Sequence, residues 1–212
     1  MSEVKSALVE SIEQEAGADG VLSKGEQTRV RLLIAAEEVF GELPYFEASV
    51  SEICRRAQVS QGTFYNYFPS KQVIYSELVR HIGHSLRREI AEAVDGLKDR
   101  KEIERKGFEA FFGFLQRHMK IYRIVRQAEF VDRSAFIEYY RQFAIGYVDG
   151  LKKAQQRGEV RKLNPEVLAY CLMAVGDFVG MRWILWPENG GVPQRVLDQI
   201  MDFIFAGMSA DG

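Results

Sequence analysis

Residues 49–71 read Ser-Val-Ser-Glu-Ile-Cys-Arg-Arg-Ala-Gln-Val-Ser-Gln-Gly-Thr-Phe-Tyr-Asn-Tyr-Phe-Pro-Ser-Lys, which encodes two short helices, a tight turn between them and the start of a third. Ser49 and Glu52 have the spacing of a capping box, the hydroxyl accepting from the Glu52 amide and the carboxylate reaching back. The helix they open runs to about Ala57, with Ile53 and Ala57 on one face and Arg55 and Arg56 directed outward. Gln58-Val59 forms the turn, and Ser60 caps a helix of only seven residues, Gln61–Tyr67. A helix that short does not persist alone. Phe64 and Phe68, four apart, must therefore be buried against neighbours. Pro69 ends the helix, and Ser70 caps a long one beginning at Lys71.

The open side of the short helix carries Gln61, Gly62, Thr63, Tyr65 and Tyr67. Amides, hydroxyls and phenols with almost no charge suit hydrogen bonds to base edges and phosphate oxygens. Two short helices separated by a tight turn have the spacing of a helix-turn-helix, whose second helix enters the major groove of DNA.

Val59-Ser-Gln-Gly-Thr-Phe-Tyr-Asn-Tyr-Phe-Pro-Ser-Lys71 resembles the recognition-helix signature of the TetR family of bacterial transcriptional regulators. Upstream, Arg29-Val-Arg-Leu-Leu-Ile-Ala-Ala-Glu-Glu-Val-Phe40 is similar to that family's first helix. The likeness covers about residues 26–75. It implies a homodimeric repressor of double-stranded operator DNA, with a DNA-binding domain over 26–75 after an extension over 1–25. An effector-binding and dimerisation domain over 76–212 is implied to follow. Matching positions place Gln61, Gly62, Thr63 and Tyr65 at base edges, and Ser49, Ser60, Tyr67 and Lys71 at phosphates. Two departures bear on loop geometry. Gln58 stands where the family usually has glycine, so it is expected to take up a left-handed conformation. The loop Glu42-Leu-Pro-Tyr-Phe-Glu47 carries Pro44 in place of the usual glycine.

The net charge of −2 on 212 residues hides a local contrast. Residues 51–88 hold Arg55, Arg56, Lys71, Arg80, Arg87 and Arg88 against Glu52 and Glu77, six positive and two negative, hence +4. Screening limits the reach of each charge to about 10 Å at 0.1 M salt, so the local balance governs binding. A non-specific architectural DNA binder would need a far more basic surface. At 47% hydrophobic the chain has ample core material. No uninterrupted apolar run reaches the ~18 residues of a membrane span, and the start of the chain lacks a leader pattern. Cys54 and Cys171 are expected as reduced, buried thiols, which suits a cytoplasmic location.

Almost everything reads helical, and the expected fold is all-α. Segment 1–16 is amphipathic, and Gly17–Gly25 reads as a loop. Leu32, Leu33, Ala36, Val39 and Phe40 share one face over 28–40. The helix over 71–95 has Val73, Ile74, Leu78, Val79 and Ile82 on its inner face. Further helices are predicted over 101–118, 120–130, 133–157, 165–186 and 193–208, with Asn164-Pro165 as a start and Gly158 as a stop. Gly176 and Gly180, with Met181, Trp183, Phe203 and Ile204, suggest a close helix-pair surface, either between subunits or within one chain. The second half is rich in aromatics. From them and a few polar neighbours, Phe111, Met119, Arg126, Tyr140, Phe143, Asp177 and Trp183 are the candidates for contact with a lipophilic small-molecule effector.

Catalytic motifs are missing: there is no Gly-x-Ser-x-Gly, His-Glu-x-x-His or Cys-x-x-Cys. His81 and His84 share a helix face, but nothing supplies further metal ligands. No enzyme activity, cofactor or metal is expected. The competing reading from another class is a helical small-molecule binder that does not touch DNA.

Overall fold

The computed structural model describes residues 23–187 and 190–209, which hold nine α-helices and no strand beyond an isolated bridge between Val160 and Ser209. The segment expected to be amphipathic over 1–16, and part of the loop at 187–191, lie outside the described residues. The helices are α1 (Lys24–Glu42), α2 (Val50–Ala57), α3 (Gln61–Tyr67), α4 (Lys71–Val94), α5 (Arg100–Arg117), α6 (Met119–Val131), α7 (Arg133–Gln156), α8 (Pro165–Gly180) and α9 (Gln194–Met208). Each predicted helix is found, with ends shifted by a residue or a few.

The chain divides into two compact units. Of the described residues, the first unit takes those up to Ser85 together with His118–Tyr139; the second takes Leu86–Arg117 and those from Tyr140 onward. In the first unit α1 packs on α2 and α6. Leu32, Leu33, Ala36, Val39 and Phe40 form its buried stripe as expected, and Phe64, Phe68, Ile53, Tyr75 and Leu78 are also fully buried. At roughly 1.5–3 kcal/mol for each large apolar side chain removed from water, Phe64 and Phe68 are what hold a helix too short to stand alone. Gly41 faces Lys120 of α6, where a Cβ would fall 2.7 Å from the lysine Cβ, so the α1–α6 crossing excludes any larger residue.

Four local expectations are corrected. The loop expected up to Gly25 ends earlier, because Ser23 and Glu26 form a complete capping box that starts α1 at Lys24. In α2 the Ser49 hydroxyl does accept from the Glu52 amide (3.1 Å), but the Glu52 carboxylate turns to Arg55 and Arg56, which outcompete a backbone amide for it. Val73 is exposed rather than inward, and Tyr75 takes the inner position. Cys171 is exposed, whereas Cys54 is buried and its thiol pKa is pushed up by burial.

In the second unit α5 packs on α8 and α9. Gly176 serves packing within the chain: a Cβ there would lie 3.2 Å from the Phe108 ring and 3.6 Å from that of Phe111. Asn164 caps α8 through the amides of Glu166 and Val167, Pro165 fills its first turn, and Gly158 stops α7 at φ 77°. α8 continues through a π-helical turn, Met181–Leu185. This combined helix of 21 residues is long and apolar enough to cross a membrane by length and composition alone. Asp177 and Arg182 interrupt its apolar run, so a search for unbroken apolar residues passes over it. Its exposed apolar groups, Val167, Tyr170 and Phe178, recur at helical spacing.

A buried polar cluster in this unit was not foreseen. Arg100 and Glu104, 5% and 2% exposed, pair one turn apart on α5, and the Tyr147 hydroxyl of α7 donates to Glu104 Oε2 at 2.5 Å. Burial and the neighbouring carboxylate push the Tyr147 phenol pKa well up. Closing two charges and a phenol on one another is what makes their burial tolerable.

Candidate nucleic-acid interface

Two serines of the same kind set the two short helices. Ser49 (φ −120°, ψ 150°) opens α2, and Ser60 (φ −75°, ψ 159°) opens α3 by accepting from the Thr63 amide at 3.0 Å. The Ser60 and Thr63 hydroxyls lie 2.9 Å apart. Between the helices Gln58 sits at φ 55°, ψ 46°, the left-handed conformation expected of it, and its amide closes the end of α2 onto Arg55 and Cys54. The turn therefore keeps its shape without the glycine that favours it.

From this frame α3 presents Gln61, Gly62, Tyr65 and Asn66 to solvent, with Thr63 and Tyr67 half-exposed. Tyr65 stands 53% exposed while its ring meets Phe64 edge-on at 5.3 Å. Gln61 Nε2 donates to Ser51 Oγ at 2.7 Å, which ties the first turn of α3 to the first turn of α2. Ser51 was not among the expected site residues. Its signal was only its place two residues after a cap. Gly62 is helical and exposed, and a Cβ there would meet nothing closer than Ser60 Oγ at 3.7 Å. Nothing inside the protomer asks for glycine at 62. The Tyr67 hydroxyl lies beside Gly25 in the first turn of α1.

Lys71 departs from expectation. Its ammonium donates to the carbonyl oxygens of Tyr45 and Ala48, both at 2.7 Å, and lies 4.2 Å from the centre of the Tyr45 ring. Two loop carbonyls and a ring face draw it inward, and burial lowers its pKa.

The cations around α2 and α3 are largely paired. Arg55 and Arg56 both bind Glu52, Arg56 and Lys120 bind Glu42, and Arg29 binds Glu77. Hydrogen bonds from Arg56 and Lys120 hold the Glu42 carboxyl at about 2, and those from Arg55 and Arg56 hold Glu52 at about 2. His81 Nε2 stands 3.5 Å from Glu77. The face is thus polar, with its positive charge offset in part by carboxylates. Such a surface reads nucleic acid through hydrogen bonds and helix-terminal amides more than through bulk charge.

The family model for bacterial regulatory proteins of the tetR family matches residues 32–78, from the middle of α1 through the first turns of α4. Residues 32–78 are a TetR-family DNA-binding domain. The chain is 32% identical to the HTH-type transcriptional activator FasR of Mycolicibacterium smegmatis over 106 residues, 50% of this chain and 48% of FasR. The match therefore spans about half the length of that relative. It is 28% identical to the HTH-type transcriptional regulator YdgC of Bacillus subtilis over 196 residues, 90% of this chain and 97% of YdgC. The fold matches that of the fatty acid degradation regulator FadR from Bacillus halodurans with a TM-score of 0.73, at 20% identity, covering 84% of this chain and 97% of FadR. Through its helix-turn-helix the chain is similar to DNA-binding transcriptional regulators.

The candidate effector contacts fall in both units. Met119 and Arg126 lie on α6 of the first, Arg126 exposed and Met119 half-buried. Phe111, Tyr140, Phe143, Asp177 and Trp183 lie in the second and are half-buried. Phe111 meets Phe112 edge-on at 5.6 Å, beside Gly176. Arg87 lies 5.4 Å from the Phe143 ring centre, and Arg182 lies 5.3 Å from that of Trp183.

Proposed function

We propose that this chain is a homodimeric repressor that binds operator DNA through α3 and is released by a lipophilic small molecule. The observation that carries the DNA contact is the outward side of α3: Gln61, Gly62, Thr63 and Tyr65 directed away from a core that does not need them. Gln61, Thr63 and Tyr65 read base edges, Gly62 lets the backbone approach the duplex, and Ser49, Ser60 and Tyr67 bond phosphates. DNA binding is assigned to 26–75, and effector binding and dimerisation to 76–212. Duplex recognition by so short a helix calls for two copies on two half-sites. Exposed apolar groups on α8 and α9, namely Val167, Tyr170, Phe178 and Phe203, support pairing across those helices. Half-buried aromatics of the second unit, and likeness to a fatty acid degradation regulator, support an acyl or aromatic effector. Binding would shift α4 and change the separation of the two recognition helices. The protein would act in the cytoplasm, where its DNA is.

Selection of bound duplexes from a random pool, followed by titration of the selected site, tests this. A single symmetric sequence family is expected. Adding acyl chains or aromatic acids should weaken binding roughly 5–150-fold, a coupling of about 1–3 kcal/mol. Equal affinity with and without every such compound would end the induction reading, and no sequence preference would favour a ligand binder or an architectural protein. A second reading, activation, is favoured by the likeness to an activator, FasR. A promoter–reporter fusion decides the sign: repression raises output when the chain is deleted, activation lowers it.

A further inference from the structure

We propose that α6 positions the recognition helix through Tyr45, with Gln127 and Lys71 as the positioning residues. This rests on the regulated DNA binding read above. Tyr45 lies in the loop between α1 and α2, and three elements hold it. Its amide donates to Gln127 Oε1 of α6 at 2.9 Å, and its carbonyl accepts from Lys71 Nζ of α4 at 2.7 Å. Its ring packs on Phe40 of α1 at 5.8 Å and on Tyr75 of α4 at 5.1 Å.

The same lysine carries the connection onward. Its second bond goes to the carbonyl of Ala48, the residue before the cap of α2. Ser49 then accepts from the amide of Glu52 through its hydroxyl and from that of Ile53 through its carbonyl. Two residues past that cap, in the first turn of α2, Ser51 receives the Gln61 side chain at the start of α3. Gln127, Tyr45, Lys71, Ala48 and Ser49 thus form a continuous polar series from α6 to the cap that orients the reading helices. Hydrogen bonds weaken steeply with distance and angle, so the series transmits a displacement of α6 instead of absorbing it.

α6 is placed to be displaced. Single residues, His118 and Asp132, separate it from α5 and α7. α6 packs within the first unit, yet α5 and most of α7 belong to the second. It is fastened to α4 by the Tyr75 hydroxyl on the Ile124 carbonyl (2.6 Å) and by Gln72 on the Val131 carbonyl (3.0 Å). The Ser76 hydroxyl donates to Asp132 at the end of α6 (2.6 Å). The Gln127 bond adds a connection to the loop itself. Lys71 in this arrangement is an internal brace and not a phosphate contact.

The test is made on the full-length protein. Q127L removes the acceptor for the Tyr45 amide, and Q127E keeps an oxygen there. In amide exchange of the free protein, Q127L is expected to speed exchange at Glu52 and Ile53 severalfold. Q127E should restore it, and helices of the second unit should be unaffected, with melting temperature nearly unchanged. Unchanged exchange at Glu52 and Ile53 in Q127L overturns the proposal, and this readout needs no DNA. On a duplex selected by the wild-type protein, Q127L and K71M should each bind about fivefold to tenfold more weakly. The dependence of log affinity on log salt should keep its slope in K71M. A slope shallower by about 0.9, the signature of one lost phosphate contact, overturns the role given to Lys71. If the wild-type protein selects no sequence, the DNA reading fails, and the exchange experiment still judges the connection.

Discussion

At the scale of single residues, two positions separate what the fold needs from what a ligand needs. Gly62 has helical backbone and room for a Cβ, with Ser60 Oγ at 3.7 Å as its nearest neighbour. Replacing glycine by alanine in a helix gains up to about 1 kcal/mol. G62A should therefore leave the free protein as stable or more so in urea unfolding, while weakening operator binding by about 1–3 kcal/mol, the scale of one good base contact. If G62A binds the selected duplex as tightly as wild type, Gly62 does not approach DNA. Gln58 is the opposite case. It holds φ 55° with a side chain attached, a conformation that costs a non-glycine residue about 1–2 kcal/mol. Part of that is offset by the greater freedom glycine has in the unfolded chain. Q58G should stabilise by up to about 1 kcal/mol, and denaturant midpoints at constant slope would show it. A lower midpoint would mean that the glutamine side chain holds the turn through contacts stronger than the backbone strain.

At the scale of elements, what the sequence could reveal depended on how far apart the partners are. Ser49, Ser60 and Asn164 cap amides within a few residues, and Gln58 and Pro69 set the backbone beside them, so their roles follow from local spacing, and the structure finds the caps and the left-handed Gln58 where expected. Lys71 was legible as the start of a helix but not as a brace, because its carbonyl partners lie 26 and 23 residues earlier. Gly41 and Gly176 are fixed by Lys120 and Phe108 on other helices, which no local pattern encodes. The ion pairs of α2 belong to this long-range class. Arg56 draws together Glu42 of α1 and Glu52 of its own helix, and Lys120 of α6 joins Glu42. The Glu42 and Glu52 carboxyls sit at about 2 against an ordinary 4.5. A carboxyl depressed in the folded state adds stability that is present above its unfolded value and lost as pH falls through its folded one. The first unit should therefore loosen between about pH 4.5 and 2. Both groups are open to solvent, so screening keeps the effect modest and sensitive to salt. Acid unfolding of E42Q compared with wild type should show a shallower loss in that window, with the difference shrinking in 1 M salt. Parallel acid curves at low salt would remove the pair from any role in stability.

At the scale of the whole molecule, the operator reading proposed above depends on pairing of two copies, and the surface for that pairing was only partly legible in the sequence. Gly176 was a candidate for the surface between subunits. It is instead occupied by Phe108 and Phe111 of the same chain, and Ile204 is buried. What remains on α8 is Val167, Tyr170 and Phe178, all exposed, with Phe178 66% accessible. On α9 Phe203 is 73% accessible, and Gly207, one turn farther along the same face, has no atom within 4 Å of where a Cβ would stand. A row of large apolar groups on two helices is an expensive surface to leave in water. A two-fold pairing removes it by presenting the same patch from each partner. F178E with F203E puts two charges per subunit into that contact, where burying an unpaired charge costs several kcal/mol. The double variant should keep its helical circular dichroism and elute at half the wild-type mass. Its DNA binding should fall from one symmetric site to weak half-site contact, since a single α3 reads too few bases. The two readouts must move together. A variant that stays dimeric places the subunit contact elsewhere, and one that becomes monomeric yet holds the selected duplex with wild-type affinity shows that one recognition helix suffices.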